Sequence, residues 1–119
     1  MKKTIVLGAS TNPARYAHTA VKWLSNKGHE VIALGKQEGT IHGVEILKDK
    51  PLVEGVDTVT LYLNPDLQKA YYDYILALNP KRLIFNPGTE NAELARLARE
   101  KGIQVEFACT LTMLSVGNY

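Results

Sequence analysis

The sequence has one cysteine, no run of five basic residues, no apolar stretch long enough to span a membrane and no complete dinucleotide-binding fingerprint. The single thiol, Cys109, excludes an internal disulfide framework and a cysteine-based zinc site, and fits a reducing, cytoplasmic setting. Lysines and arginines are scattered and the net charge is only +2, so no electrostatic footprint for nucleic acid is present. Apolar stretches fall well short of the ~20 residues of a membrane span. The apolar residues after Met1-Lys2-Lys3 are too few for a signal peptide, and Ser10 to Arg15 interrupt them. His18, His29 and His42 lack the paired spacing of metal ligands. At 119 residues, 45% hydrophobic and 22% charged, the chain reads as one globular domain, 1–119, with a single core.

Strand and helix patterns alternate along the chain. Thr4-Ile5-Val6-Leu7 is a short β-branched run suited to a strand buried on both faces. Gly8, Ala9 and Ser10 make a small-residue turn, and Asn12-Pro13 reads as a helix cap followed by proline at the first helical position. Ala17, Ala20, Val21 and Leu24 form that helix's apolar face, and Gly28 ends it. Residues 30–34 predict a second strand. Residues 40–47, with Gly43 inside, predict an irregular strand or hairpin at the sheet edge. After a polar connection, 56–63 predict a strand. Asn64-Pro65 then opens a helix with the stripe Leu67, Tyr71, Tyr74, Ile75 and Leu78. Residues 82–85 and 103–107 predict two more strands, flanking a helix over 91–101, and a short helix is expected after Cys109. The alternation predicts an α/β fold, a mostly parallel sheet of about five strands between helices. Right-handed crossovers bring every strand's C-terminal end to one edge, where such sheets bind ligands. The compositionally unusual segments fall at that edge: Gly8 to Asn12, Gly35-Lys36, Asn64-Pro65 and Asn86-Pro87-Gly88.

The first turn has one early glycine, with Ser10 and Pro13 where a dinucleotide fingerprint carries its other glycines. A NAD site wants Asp or Glu after the second strand; here Leu34-Gly35-Lys36 stands there. Lysine favours a ligand with an additional ribose phosphate, which NADP or coenzyme A would supply. The length, read as one mononucleotide-binding half plus a remnant, favours coenzyme A. Backbone N–H groups at a helix N-terminus attract an anion. Gly-Ala-Ser could instead make only a tight turn, and Lys36 could be a solvated surface residue.

Ile5-Val6-Leu7-Gly8-Ala9-Ser10, with Pro13, Arg15 and Tyr16, resembles the opening of the small stand-alone CoA-binding proteins. These are similar to the CoA-binding domain of the succinyl-CoA synthetase α subunit. Gly28 to Ile32, Ile41-x-Gly43, Val56-Asp57-x-Val59, Gly102-Ile103-x-Val105 and Cys109 follow in the family's order. The resemblance implies a Rossmann-like three-layer α/β/α fold that binds coenzyme A or an acyl-CoA without catalysis of its own. A small NADP(H)- or acyl-CoA-dependent enzyme or enzyme subunit is the alternative. The expected ligand-binding residues are Gly8, Ala9, Ser10, Asn12, Arg15 and Tyr16 at the first turn, Lys36 for the ribose phosphate, Tyr62 and Asn64 at the third loop, and Asn86, Pro87 and Gly88 along the pantetheine arm. Leu34-Gly35-Lys36 replaces the family's Val-Asn-Pro-type segment, and Ile84 to Gly88 lacks its Trp-Leu-Gln-x-Gly pattern. The synthetase's phosphorylated histidine lies in a domain absent from this sequence, so ligase activity does not carry over. No catalytic residue or metal ligand is assigned. Partners are expected to be a small nucleotide-like molecule and, by analogy with small Rossmann domains, a second copy in a homodimer, with no nucleic acid and no membrane.

Overall fold

In the computed structural model, which describes residues 1–119, the chain forms β1 (Thr4–Leu7), α1 (Tyr16–Asn26), β2 (Val31–Leu34), β3 (Gly39–Ile41), β4 (Val44–Leu47), β5 (Thr58–Leu61), α2 (Pro65–Gln68), a 3₁₀ turn (Lys69–Tyr71), α3 (Tyr72–Leu78), β6 (Arg82–Phe85), α4 (Ala92–Glu100), β7 (Gln104–Phe107) and α5 (Thr110–Val116). One sheet holds all the strands in the order β3-β4-β2-β1-β5-β6-β7. Only β3 is antiparallel, paired with β4 as an edge hairpin. No helix is long and apolar enough to cross a membrane.

The α/β class and the mostly parallel sheet are as expected, but the sheet has seven strands, not about five. Without β3, the strands follow the 3-2-1-4-5-6 order of a doubly wound sheet. Both halves of that topology are therefore present, not one half and a remnant. The chain achieves this in 119 residues because most strands are four residues long, and the connections 35–43 and 48–57 contain no helix.

Strand periodicity sorts the core onto two faces. Ile5, Leu7, Val59, Leu61, Leu83 and Phe85 point toward α3 and α4, joining Tyr74, Ile75, Leu94, Ala95 and Ala98 in the larger cluster. Val6, Ala33 and Ile46 face α1 and α5, packing with Ala17, Val21, Leu24 and Leu114. Two helices depart from the sequence reading. Asn12-Pro13 does not start α1: Asn12 Oδ1 accepts the Ala14 N–H and its carbonyl accepts the Arg15 N–H, making a separate turn. The helix begins only at Tyr16. The stripe from Leu67 to Leu78 is not one helix but α2, the 3₁₀ turn and α3. Leu67 is 39% exposed, whereas the neighbouring Gln68 is fully buried.

The last residues, unplaced by sequence pattern, return to the N-terminal edge of the sheet. There Thr4, Thr58 and Arg82 stand side by side in register. Arg82 is 7% exposed. It donates to Thr58 Oγ1 (3.0 Å), Glu106 Oε2 (3.3 Å) and the Tyr119 main-chain oxygen (3.0 Å), and lies under the Tyr119 ring at 4.4 Å. Lys2 Nζ also donates to that oxygen. His29 stacks edge-on against Tyr119, and its Nδ1 accepts the Lys2 N–H at 3.0 Å. Burial, the amino terminus, Lys2 and Arg82 hold the His29 imidazole below its usual range, against a weaker pull from Asp57. The folded protein thus keeps His29 neutral while the unfolded chain takes up the proton first. Stability is full above the unfolded histidine value, near 6.5, and declines as pH falls through the folded value. Urea unfolding at pH 7.5 and 5.5 should show this loss, and His29→Asn should reduce it. An unchanged slope would remove His29 as its source.

Candidate functional site

The loops after β2, β1, β5 and β6 enclose a cleft of about 740 Å³ at the C-terminal edge of the sheet. It straddles β1 and β5, where the strand order reverses. Close contact between loops forms its floor. Leu34 O accepts both the Gly8 and Ala9 N–H groups at 2.8 Å. Gly8 has φ +103°, and a Cβ there would lie 3.0 Å from the Tyr62 carbonyl carbon. A Cβ on Gly35 would lie 2.3 Å from Ala9 O, so only glycine lets the second loop meet the first.

Ten of the twelve residues expected from sequence line this cleft: Gly8, Ala9, Ser10, Arg15, Tyr16, Lys36, Tyr62, Asn64, Pro87 and Gly88. Asn12 and Asn86 do not. Asn12 holds its own turn together. Asn86 is 2% exposed. Its Nδ2 donates to Thr60 Oγ1 (2.7 Å) and Leu61 O (2.9 Å), while its Oδ1 accepts the Thr110 N–H (2.8 Å). Its amide joins β5, the β6 loop and α5, which fixes the cleft edge from behind. Sequence reasoning omitted Ala17, Leu34, Gln37, Leu63, Leu67, Ala70, Tyr71 and Thr89 from the expected site, although they line the cleft too. Leu67 and Tyr71 carried only the signal of a core stripe, and the helix break that separates them has no marker in the sequence.

The donors at the first turn also differ from the simple expectation. The N–H groups of Gly8 and Ala9 bond Leu34 O, that of Asn12 bonds Ser10 Oγ, and those of Ala14 and Arg15 bond Asn12. Ser10, Thr11, Tyr16 and Ala17 keep N–H groups with no acceptor in the chain, so these four are the available anion donors. Arg15 and Lys36 flank them, exposed and without an ion pair. No carboxylate, histidine or cysteine lines the cleft. Its β2–β1 end is therefore cationic, and its β5–β6 end is neutral.

A polar network stiffens the neutral end. Gln68 Nε2 donates to Leu63 O and Thr89 O, both at 2.8 Å, and Asn91 Nδ2 donates to Gln68 Oε1 at 3.0 Å. Tyr62 lines the cleft and packs against the smaller core cluster. Its hydroxyl is buried near the Thr60 and Thr110 hydroxyls, which bond each other at 2.7 Å. Burial pushes that phenol well above its usual range. Cys109 caps α5 outside the cleft. Burial pushes its thiol up, but hydrogen bonds from the Thr112 side chain and the Thr112 and Leu111 N–H groups outweigh this and lower it overall.

Residues 2–115 match the model of the CoA-binding domain family. The chain belongs to this family. It is also similar to the crystal structure of an uncharacterised protein, at 51% identity and TM-score 0.97, covering 100% of this chain and 98% of the other. A conserved hypothetical protein from Pyrococcus furiosus matches at 28% identity and TM-score 0.78, over 90% of this chain and 93% of that one. A Thermus thermophilus protein matches at 26% identity and TM-score 0.85, over 99% and 91%. As a member of a CoA-binding family with a Rossmann-like α/β fold, this chain has a cleft where such folds bind nucleotides. Gly35→Ala should force Ala9 away from Leu34 and cost about 1–3 kcal/mol of stability, the usual range for overpacking. Denaturant unfolding measures this, and an unperturbed midpoint would show that the loop contact is not tight.

Proposed function

We propose that the cleft holds coenzyme A, with its phosphates at the β2–β1 end and its pantetheine arm running toward the β5 and β6 loops. The observation that carries this reading is the polarity gradient along the cleft. Four unengaged N–H groups, Arg15 and Lys36 stand at one end, and neutral and apolar residues at the other. Coenzyme A has the same asymmetry, an anionic nucleotide joined to a neutral arm. The phosphates would accept from the Ser10, Thr11, Tyr16 and Ala17 N–H groups and from the Ser10 hydroxyl, with Arg15 adding charge. Lys36 would meet the ribose phosphate. Pro87 and Gly88 would border the arm, and Asn86 would support that loop from behind instead of touching the ligand.

The site's role in this reading is to bind without catalysing. No carboxylate, histidine or cysteine lines the cleft, so the Ser10 and Thr11 hydroxyls have no carboxylate or imidazole base there to activate them. The lack of an acidic residue after β2 disfavours NAD, whose ribose hydroxyls such a residue would hold.

Calorimetry should find coenzyme A binding several-fold more tightly than dephospho-CoA, and NADP(H) binding weakly. Lys36→Ala should weaken coenzyme A about threefold to tenfold, as expected for an exposed charge-assisted contact, and should abolish the preference. Equal affinity for coenzyme A and dephospho-CoA in the unmodified protein would remove the role of Lys36. Failure of both ligands to bind would overturn the reading.

A further inference from the structure

On the reading that the cleft takes coenzyme A, we propose that its favoured ligand is a neutral acyl thioester and not the free thiol, with the acyl chain lying along Leu67, Ala70 and Tyr71. The strand order places the β5 and β6 loops farthest from Lys36, so a ligand anchored by its phosphates at Lys36 and Arg15 points its other end here. Three strand spacings, about 14 Å in all, separate the β2 and β6 loops.

Leu63 and Tyr71 at this end pack against the larger core cluster, but Leu67 does not. Leu67 belongs to neither core cluster, is 39% exposed, and lines the cleft. Its position is nevertheless fixed. Asn64 Oδ1 accepts the Leu67 N–H at 3.0 Å, and the adjoining Gln68 is buried and held by Leu63 O and Thr89 O. With α2 pinned on its Gln68 side, Leu67 is left on the cleft side. Ala70 and Tyr71, three and four residues on from Leu67, share its wall.

Polar groups of the β6 loop at this end are engaged already. The Thr89 hydroxyl donates to Asn86 O at 2.7 Å, its carbonyl accepts from Gln68, and the Gly88 N–H donates to Glu90 Oε1 at 2.9 Å. A free thiol would leave Leu67 facing water. An alkyl chain would cover it. No lining residue at this end is a cation. Lys50, which donates to Ala70 O at 2.6 Å and lies over the Tyr71 ring at 4.7 Å, is outside the lining. A terminal carboxylate would therefore meet the Leu67 wall and is disfavoured against a neutral acyl group of equal length.

Calorimetry on the intact protein with coenzyme A, acetyl-CoA, butyryl-CoA, hexanoyl-CoA and succinyl-CoA tests the proposal. Affinity should rise about twofold to fourfold per methylene buried, butyryl-CoA should bind more tightly than succinyl-CoA, and Leu67→Ser should reduce the ratio of butyryl-CoA to coenzyme A affinity. Thermal unfolding confirms that the variant remains folded. Butyryl-CoA binding no tighter than coenzyme A, succinyl-CoA binding tighter than butyryl-CoA, or a ratio unmoved by Leu67→Ser in the folded variant would each overturn the proposal while leaving coenzyme A binding intact. Absence of binding by every member of the series would overturn the underlying reading as well.

Discussion

The position of β1 at the reversal of strand order governs the rest of the molecule. β1 pairs with β2 on one side and β5 on the other, in parallel and in register over four residues each. Right-handed crossovers leaving in opposite directions must then pack on opposite faces of the sheet. Accordingly α1 and α5 cover one face, and α3 and α4 the other. Where the first loops of the two halves diverge, the backbone cannot close over the strand ends, and a cleft is left. Its depth depends on how closely the loops approach at the base, which Gly8 and Gly35 set by lacking side chains.

Two buried polar systems keep this geometry fixed. At the cleft edge, Asn86 and Gln68 satisfy main-chain groups that loops would otherwise leave unpaired. Buried amides whose hydrogen-bonding capacity is met specify one arrangement more sharply than apolar packing does. At the opposite edge, Arg82, Thr4, Thr58 and Glu106 gather around Tyr119. That second system ties the final residues to the strand starts, far from the cleft, so it contributes to stability without shaping the site.

Several elements were legible without coordinates because short-range chemistry dictates them. The fully buried apolar runs, the glycine-terminated helices and the edge hairpin around Gly43 all follow from local pattern. Lys36 and the small residues after β1 stood out for the same reason. Asn12 misled because an asparagine followed by proline serves equally as a helix cap or as the start of a turn, and the choice lies in how the next residues pack. The break between α2 and α3 was hidden for a similar reason: Gln68 interrupts an apolar stripe only because Leu63 O and Thr89 O are there to receive it. Asn86 looked like a ligand contact because of its place after a strand, yet its partners come from β5 and α5.

The amino-acid sequence by itself determined the fold class, the parallel sheet and the edge at which the unusual residues collect. These depend on hydrophobic period and turn chemistry, which are properties of neighbouring residues. Tertiary structure decided the number of strands, which N–H groups remain available, the withdrawal of Asn86 from the cleft and the exposure of Leu67 within it. Each of these depends on contacts between residues far apart in the chain, and no local pattern encodes which distant partner a buried polar group will find.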